Sequence, residues 1–434
     1  MKKLLFFWKE LLTTFWFLPV LILGLAVLLA IGLISLDGYF MISQDSWLRF
    51  FLVNSPDSAR SILSAISGAM IGVAGTVFSV TLVALTLASS QFGPRLIKNF
   101  MYVRLNQVVL GSYIATYLYC LLVLNSIKES NGYSFIPSVS ISVAILAALA
   151  NIILLIIFIH QIAVSIQADK IISDISDFIA KQVETLFPER MGQEDEKEIV
   201  DLSAAMSDFQ ERIPIKSPKS GYLQFISSEV LLDLVSKEDA LLWLHRRPGS
   251  YLVKGSEIGE LYTRSTWGEK KTEVLLNQFV IGKTKTYQQD LEFSIHQMVE
   301  IAVRALSPGV NDPYTAIACI DNLTSTMSYL AEVRFPSKYR FDKEGKLRVI
   351  ANILDFEGVL DAAFNQIRQF STGSTAVIIR LMEALTIIQQ FTKIKSHKNA
   401  VIKHAKMVLS IGEQTIKEKN DINDLKDRAA KILS

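Results

Sequence analysis

The stretch SILSAISGAMIGVAGTVFSVTLVALTLASS, residues 61–90, contains no charged side chain over thirty consecutive positions. A helix needs about 20 apolar residues to cross the ~30 Å hydrocarbon core of a bilayer. Only a helix or a closed barrel satisfies its backbone polar groups in lipid, and so continuous an apolar run indicates a helix. The stretch therefore predicts a membrane-spanning helix that is longer than the bilayer requires.

Three further apolar segments, at about residues 15–36, 108–127 and 139–160, are also long enough to span a bilayer. Through His160 the chain has only nine Lys or Arg and five Asp or Glu, leaving 35 and 37 of the totals of 44 and 42 for the remainder. The fold class predicted is an α-helical membrane protein with four transmembrane helices in residues 1–165, followed by a C-terminal cytoplasmic α+β domain.

Basic residues predict the orientation, because cytoplasmic loops carry an excess of Lys and Arg. Six flank the spans on one side: Lys2, Lys3, Lys9, Arg95, Lys98 and Arg104. Three lie on the other side: Arg49, Arg60 and Lys128. Both termini are therefore expected in the cytoplasm. The remainder after His160 is slightly acidic, which argues against nucleic acid as a partner.

The remainder divides into three predicted parts. Residues 166–212 are expected to form a stalk helix continuous with the fourth span, and then a charged connector. Residues 213–287 carry short aromatic and aliphatic runs typical of strands, and residues 247–258 suggest a hairpin in a small β-rich subdomain. Residues 288–434 show the periodicity of a mainly helical subdomain.

Small and polar residues recur along the second span at steps of three and four, interrupted by Val83, so they share one helical face. They are Ser64, Gly68, Gly72, Gly75, Ser79, Thr86 and Ser90. We call them the α2 stripe, where α2 is the second predicted span, residues 61–90. Small residues let helices approach closely, which favours packing. Hydroxyls and glycine backbone also suit the lining of a pore. Both interpretations stay open, and they coexist in an oligomer.

Three cations, Arg95, Lys98 and Arg104, follow the second span. In a channel they would attract anions to the inner mouth. Otherwise they anchor the helix at the lipid headgroups.

A candidate ligand site lies in the helical part. His296, Glu300 and Arg304 are spaced by four residues, so they share a helical face, and Asn311 and Asp312 follow in a turn. They predict a cleft for a small polar ligand or ion, unless they form a solvated stripe of ion pairs. The set is too small to indicate zinc.

The turn after that helix, Ser307 to Thr315, has its own signals. Gly309 permits a left-handed conformation, Asp312 suits a helix cap and Pro313 suits the first helical position. The sequence lacks the common hydrolase, metalloprotease and phosphate-loop signatures, so we expect neither an enzyme nor a cofactor.

Two stretches, SGAMIGVAGTVFSVTLVALTLASSQFGPRLI (67–97) and RALSPGVNDPYTA (304–316), resemble signatures of an uncharacterised bacterial membrane-protein family. This is the family catalogued as domain of unknown function 2254. The resemblance implies a multi-pass protein of the bacterial inner membrane. It implies no activity, cofactor or catalytic residue.

These features together predict a homo-oligomeric channel or pore for ions, gated by its cytoplasmic domain. The alternative is a membrane-anchored sensor or scaffold, whose cytoplasmic domain binds a ligand or a partner protein around residues 307–315. The expected partners are the lipid bilayer and further copies of the chain. A small ligand or ion is expected at the cytoplasmic domain.

Overall fold

The computed structural model describes residues 14–39, 55–93, 104–130, 133–165, 167–186, 206–333 and 335–433. The chain divides into two compact units, Met1–Lys170 and Ile171–Ser434. We call them the N-terminal and C-terminal units.

Four helices of the N-terminal unit are long and apolar enough to cross a membrane, as predicted. They are α1 (Phe17–Tyr39), α2 (Pro56–Phe92), α3 (Arg104–Ser126) and α4 (Ser138–Ser165). A short antiparallel pair, β1 (Lys128–Ser130) and β2 (Tyr133–Phe135), lies between α3 and α4. The fold class predicted for this part of the chain is confirmed.

Helix α3 is the centre of the N-terminal unit, since it packs against α1, α2 and α4. Helices α1 and α3 approach closely at Gly111, where an added Cβ would lie 2.9 Å from the Cα of Pro19 in α1. Small residues also form most of the α2 face that is buried in the unit, among them Ala59, Ala74 and Ala88. Close packing of backbones is the main way that helices associate in lipid.

A polar cluster crosses the same packing region. The fully buried Asn151 of α4 donates to Thr116 Oγ1 over 2.8 Å and accepts from Ser112 Oγ over 2.6 Å. The Tyr113 hydroxyl donates to the Asn151 carbonyl over 2.6 Å. Apolar surroundings make unpaired polar groups costly, so these bonds fix the rotation of α4 relative to α3.

Asp37 near the end of α1 caps the start of α4. Its carboxylate accepts from the backbone N–H groups of Val139 and Ser140, at 3.0 and 2.9 Å. The Ser140 hydroxyl donates to it as well, over 2.6 Å. The first N–H groups of a helix have no partner within the helix, so this carboxylate ties α1 to α4 at one end of the unit.

The stalk predicted as a continuation of the fourth span is instead a separate helix. Helix α4 ends at Ser165, Gln167 is not helical, and α5 runs over Ala168–Leu186. Gln182 of α5 donates to the Tyr287 carbonyl, and the rings of Phe178 and Tyr287 meet edge to face at 4.9 Å. Helix α5 is therefore fixed on a loop of the C-terminal unit.

Two sheets form the first part of the C-terminal unit. One has five strands in the order β3-β7-β5-β10-β9 and the other has three in the order β6-β4-β8. The strands are β3 (Glu211–Lys216), β4 (Gly221–Ile226), β5 (Leu241–Leu244), β6 (Tyr251–Leu252), β7 (Glu257–Thr263), β8 (Phe279–Gly282), β9 (Tyr339–Phe341) and β10 (Leu347–Ile350). Two helices lie between strands in the chain, α6 (Ser228–Lys237) and α7 (Glu269–Leu276).

One apolar cluster joins the two sheets, with Leu242 and Leu261 from the larger sheet and Leu223 and Ile281 from the smaller. The hairpin expected over residues 247–258 is wrong, because β6 pairs with β4 of the smaller sheet while β7 pairs with β3 and β5. The apolar residues of β6 and β7 would fit either a hairpin or two separate sheets. Packing in the apolar cluster between the two sheets favours the second arrangement.

Helices form the rest of the C-terminal unit. They are α8 (Leu291–Ala305), α9 (Pro313–Glu332), α10 (Phe356–Phe370), α11 (Thr375–Phe391), α12 (Lys395–Thr415) and α13 (Lys419–Leu433). The hairpin of β9 and β10 interrupts them and adds to the larger sheet, since β10 runs parallel to β5.

The contact at Gly111 gives a first prediction. Replacing Gly111 with Ala should destabilise the N-terminal unit by about 1–3 kcal/mol, because the new methyl group overpacks the α1–α3 contact. Gly24→Ala is the matched control, since an added Cβ there meets no atom within 4 Å. Thermal unfolding in detergent measures the difference, and equal midpoints for both variants would show that the contact is not tight.

Candidate functional site

The α2 stripe lies on the exposed side of its helix. Ser64, Gly68, Gly72, Gly75, Ser79, Thr86 and Ser90 are all exposed in the chain. An added Cβ at Gly68, Gly72 or Gly75 would meet no atom within 4 Å. The described residues of the chain therefore do not pack on the stripe, and both interpretations of it stay open.

The opposite face of α2 is the one that packs on the rest of the N-terminal unit. Leu63, Met70, Val77 and Ala84 are buried there, and α3 is the main neighbour of the helix. The stripe is thus turned away from the helix bundle. Among the described residues of the unit, none covers it.

Hydroxyl groups of the α2 stripe donate to their own helix. Thr86 Oγ1 donates to the Leu82 carbonyl over 2.9 Å, and Ser90 Oγ donates to the Leu87 carbonyl over 2.8 Å. A hydroxyl oxygen still has acceptor capacity when its hydrogen is committed. These side chains consequently present oxygen acceptors on an exposed helix face without any formal charge.

Of the three predicted inner-mouth cations, Arg104 is the first residue of α3 and its side chain is exposed. Arg95 and Lys98 lie outside the described residues. Their role at an inner mouth stays a prediction.

The predicted ligand residues occupy two elements. His296, Glu300 and Arg304 are partly buried on α8, whereas Asn311 is exposed in the turn that follows. Asp312 is the cap of α9, where it accepts from the Thr315 N–H over 3.1 Å and from the Thr315 hydroxyl over 2.5 Å. Asp312 therefore has a structural role, and ligand binding by the set stays a prediction.

The turn itself differs in one detail from the prediction. Gly309 does not adopt a left-handed conformation, and Asn311 does so instead, with φ of 50°. Asparagine tolerates this region better than most residues with a side chain. The turn leaves Val310 and Tyr314 exposed by 58% and 81%, so an apolar and an aromatic side chain project from it.

A cluster that the sequence did not predict lies on the larger sheet. His245 directly follows β5, and Glu257 and Glu260 belong to β7. One side-chain donor atom from each of the three lies within 4.8 Å of the others. Among the described residues, no other group of three His, Cys, Asp or Glu donors meets this criterion.

A β-bulge brings the two carboxylates of this cluster together. Side chains alternate between the faces of a regular strand, so residues three apart point to opposite faces. The pairing of β3 with β7 shifts here, since Ile215 is opposite Gly259 while Lys216 is opposite Glu257. The extra residue places Glu257 beside Glu260 and keeps Ile258 in the core.

Gly259 permits the close strand pairing beside this bulge. An added Cβ would lie 2.2 Å from the Trp243 carbonyl oxygen of β5. The sequence signals for the cluster were a histidine at a strand end and the Glu-x-x-Glu pattern of residues 257–260. Neither signal predicts a cluster by itself, because in a regular strand residues 257 and 260 would point to opposite faces.

Comparisons with known proteins give one family. The family model described as "Predicted membrane protein (DUF2254)" matches residues 13–386. An uncharacterized protein of Mycobacterium bovis is 31% identical over 378 residues, which cover 86% of this chain and 72% of that protein. An uncharacterized protein of Mycobacterium tuberculosis (strain H37Rv) shows the same identity and coverage. No solved structure matches the chain.

The cap at Asp312 gives a second prediction. The hydrogen bond from the Thr315 hydroxyl is the main cause that holds the pKa of Asp312 below its ordinary value, and burial opposes it. Its stabilising effect is therefore complete above the ordinary pKa and is lost as the pH falls below about 4. Asp312→Ala should remove about 1 kcal/mol at neutral pH.

Hydrogen exchange at the Thr315 amide measures this effect. Wild type should lose protection from exchange as the pH falls below about 4. The Asp312→Asn variant, whose side chain caps the helix without titrating, should have the same protection in acid and at neutral pH. Equal acid sensitivity of wild type and the asparagine variant would contradict the assignment.

Proposed function

The chain belongs to the DUF2254 family of predicted membrane proteins, and within that family we propose that it forms a homo-oligomeric ion channel in the bacterial inner membrane. The family match confirms the resemblance drawn from residues 67–97 and 304–316. The four apolar helices and the match support a membrane location. The proposal adds the assembly, the permeation path and gating by the C-terminal unit.

The observation that carries the proposal is the outward position of the α2 stripe. In a single chain, glycines and hydroxyls on this face meet lipid, which offers them no hydrogen bonds. A second copy of the chain offers both close backbone packing and polar contact. Copies arranged around a closed axis would turn their α2 faces toward one another and toward that axis.

The chemistry of the α2 stripe suits ions better than a coupled pump. Backbone carbonyls and hydroxyl oxygens replace part of the hydration shell of a cation in channels. The stripe has no Asp, Glu, Lys or Arg, and carboxylates or histidines are the usual proton relays of pumps and transporters. Passive flow through an uncharged path is therefore the mechanism that we propose.

Orientation and the inner mouth complete the proposal. With both termini in the cytoplasm, Arg95, Lys98 and Arg104 lie at the inner end of the path. Cations there concentrate anions near the mouth. Raising the salt concentration should therefore weaken any selectivity that they impose, because screening shortens the reach of exposed charges.

A second function, a membrane-anchored sensor or scaffold, is supported by residues 307–315, which join α8 to the first turn of α9. Tyr314 and Val310 are among its most exposed side chains, and aromatic residues are enriched at protein interfaces. In this function, a partner protein binds at Val310 and Tyr314, and the C-terminal unit senses that binding. This function requires no ion flux.

Ion flux through liposomes is the third prediction. Purified protein should release a trapped ion, and Ser79→Trp should reduce that flux several-fold by filling the path. Val80→Trp is the control, because Val80 is also exposed but lies about 100° around the helix from Ser79. Absence of flux in wild type under any gradient would reject the channel and leave the sensor.

Disulfide cross-linking is the fourth prediction and tests assembly separately. Ser79→Cys should form a covalent dimer under mild oxidation in membranes, and Val80→Cys should do so much less. The native Cys120 and Cys319 are buried and unpaired, so they give a low background. Dimers from Val80→Cys but not from Ser79→Cys would place the assembly face elsewhere.

A further inference from the structure

We propose that His245, Glu257 and Glu260 form a binding site for a divalent transition-metal ion of the Zn²⁺ class. The site lies on the outer face of the larger sheet and is independent of the channel proposal. Its three donors come from two neighbouring strand segments, β7 and the end of β5. Rigid elements hold ligand geometry better than loops do.

The distances suit one ion shared by the three side chains. His245 Nδ1 lies 3.0 Å from a carboxylate oxygen of Glu257, and the three donor atoms lie within 4.8 Å of one another. Zinc binds nitrogen and carboxylate oxygen at about 2.0–2.2 Å. Two such donors on one ion are therefore about 3–3.5 Å apart, so small side-chain movements complete the coordination.

Backbone and ring contacts hold His245 in place. Its N–H donates to the Ile258 carbonyl over 2.9 Å, and its carbonyl accepts from Asn352 Nδ2 over 2.8 Å. The imidazole meets the Trp243 ring edge to face at 5.1 Å. The histidine is thus positioned by its neighbours before any ion arrives.

Glu260 is buried and held as an anion. Burial raises its pKa, but hydrogen bonds from Arg212 and Tyr262 and the charge of Arg212 outweigh burial and lower it. The Tyr262 hydroxyl donates to Oε2 over 2.5 Å, and Arg212 pairs with Oε1. Each carboxylate oxygen has a further lone pair for a metal, and carboxylates that bind metals are usually hydrogen-bonded to a second residue as well.

Arg212 is the counter-charge that an ion would compete with. Its side chain is 65% exposed, whereas that of Glu260 is 5% exposed. The arginine can consequently move into solvent when a cation binds, and Glu260 cannot move away. Removing Arg212 should strengthen binding of the ion.

The donor set favours zinc over the hard cations. Imidazole suits Zn²⁺ and related transition metals, whereas Mg²⁺ and Ca²⁺ prefer oxygen ligands alone. His245 and Glu257 are partly exposed, so the remaining coordination positions would be taken by water. An exchangeable ion fits this description better than a permanent structural one.

The test is calorimetric titration of the full chain in detergent with ZnCl₂, after EDTA treatment and dialysis, with MgCl₂ as the comparison. Wild type should bind one Zn²⁺ per chain and no Mg²⁺. Glu257→Gln and His245→Ala should weaken binding by about 100-fold or more, a larger loss than the 10–100-fold expected for the supporting Tyr262→Phe. Arg212→Ala should tighten it.

Two measurements separate loss of the site from loss of the fold. His160→Ala removes an exposed histidine from a membrane helix and should leave zinc binding unchanged. Zn²⁺ should raise the melting temperature of wild type but not of Glu257→Gln, whose own melting temperature without metal should match wild type.

Two results would overturn the proposal. One is the lack of zinc binding by wild type at millimolar concentration. The other is equal binding by wild type and a folded Glu257→Gln variant, which would place the zinc elsewhere.

Discussion

Lipid supplies no hydrogen bonds, so each backbone polar group within a bilayer must find its partner inside the protein. The four helices of the N-terminal unit satisfy this constraint locally, and what remains is how they associate. Association cannot draw on hydrophobic burial, because lipid tails are as apolar as the side chains. Close backbone contact at Gly111 and the buried bonds of Asn151 take its place. Both involve α3, which explains its central position.

The lack of hydrogen-bond partners in lipid also bears on the α2 stripe, which consists of glycines and hydroxyl side chains. Alanines and larger apolar residues of α2 already supply the contacts with α3. The glycines and hydroxyls are on the other side, where the described residues of the chain leave them uncovered. Small residues on an outer face bury little apolar area against lipid, but they fit a second helix well. The channel proposal rests on this asymmetry between the two faces of one helix.

In the C-terminal unit, an irregularity in one strand brings several polar side chains together. The bulge in β7 rotates one residue out of the alternation, so two carboxylates meet one histidine on the outer sheet face. Arg212 and Tyr262 then keep Glu260 charged despite burial. Burial, and after it the hydrogen bond to Glu260, raises the pKa of Tyr262 to about 12. A regular strand would have separated these groups.

The sequence alone determined the four spans, the mainly helical character of residues 288–434 and the start of α9 with Asp312 as cap and Pro313 as first residue. These features depend on local periodicity and on the geometry of single residues. It also located the α2 stripe, since seven residues on one face follow from helical spacing. Only the tertiary structure decided which way that face points, because both faces of α2 carry small residues. The pairing of β6 with β4 and the cluster at His245 were likewise decided by contacts between distant residues. Periodicity cannot reveal a bulge or a strand partner, because both arise from packing between elements rather than within one.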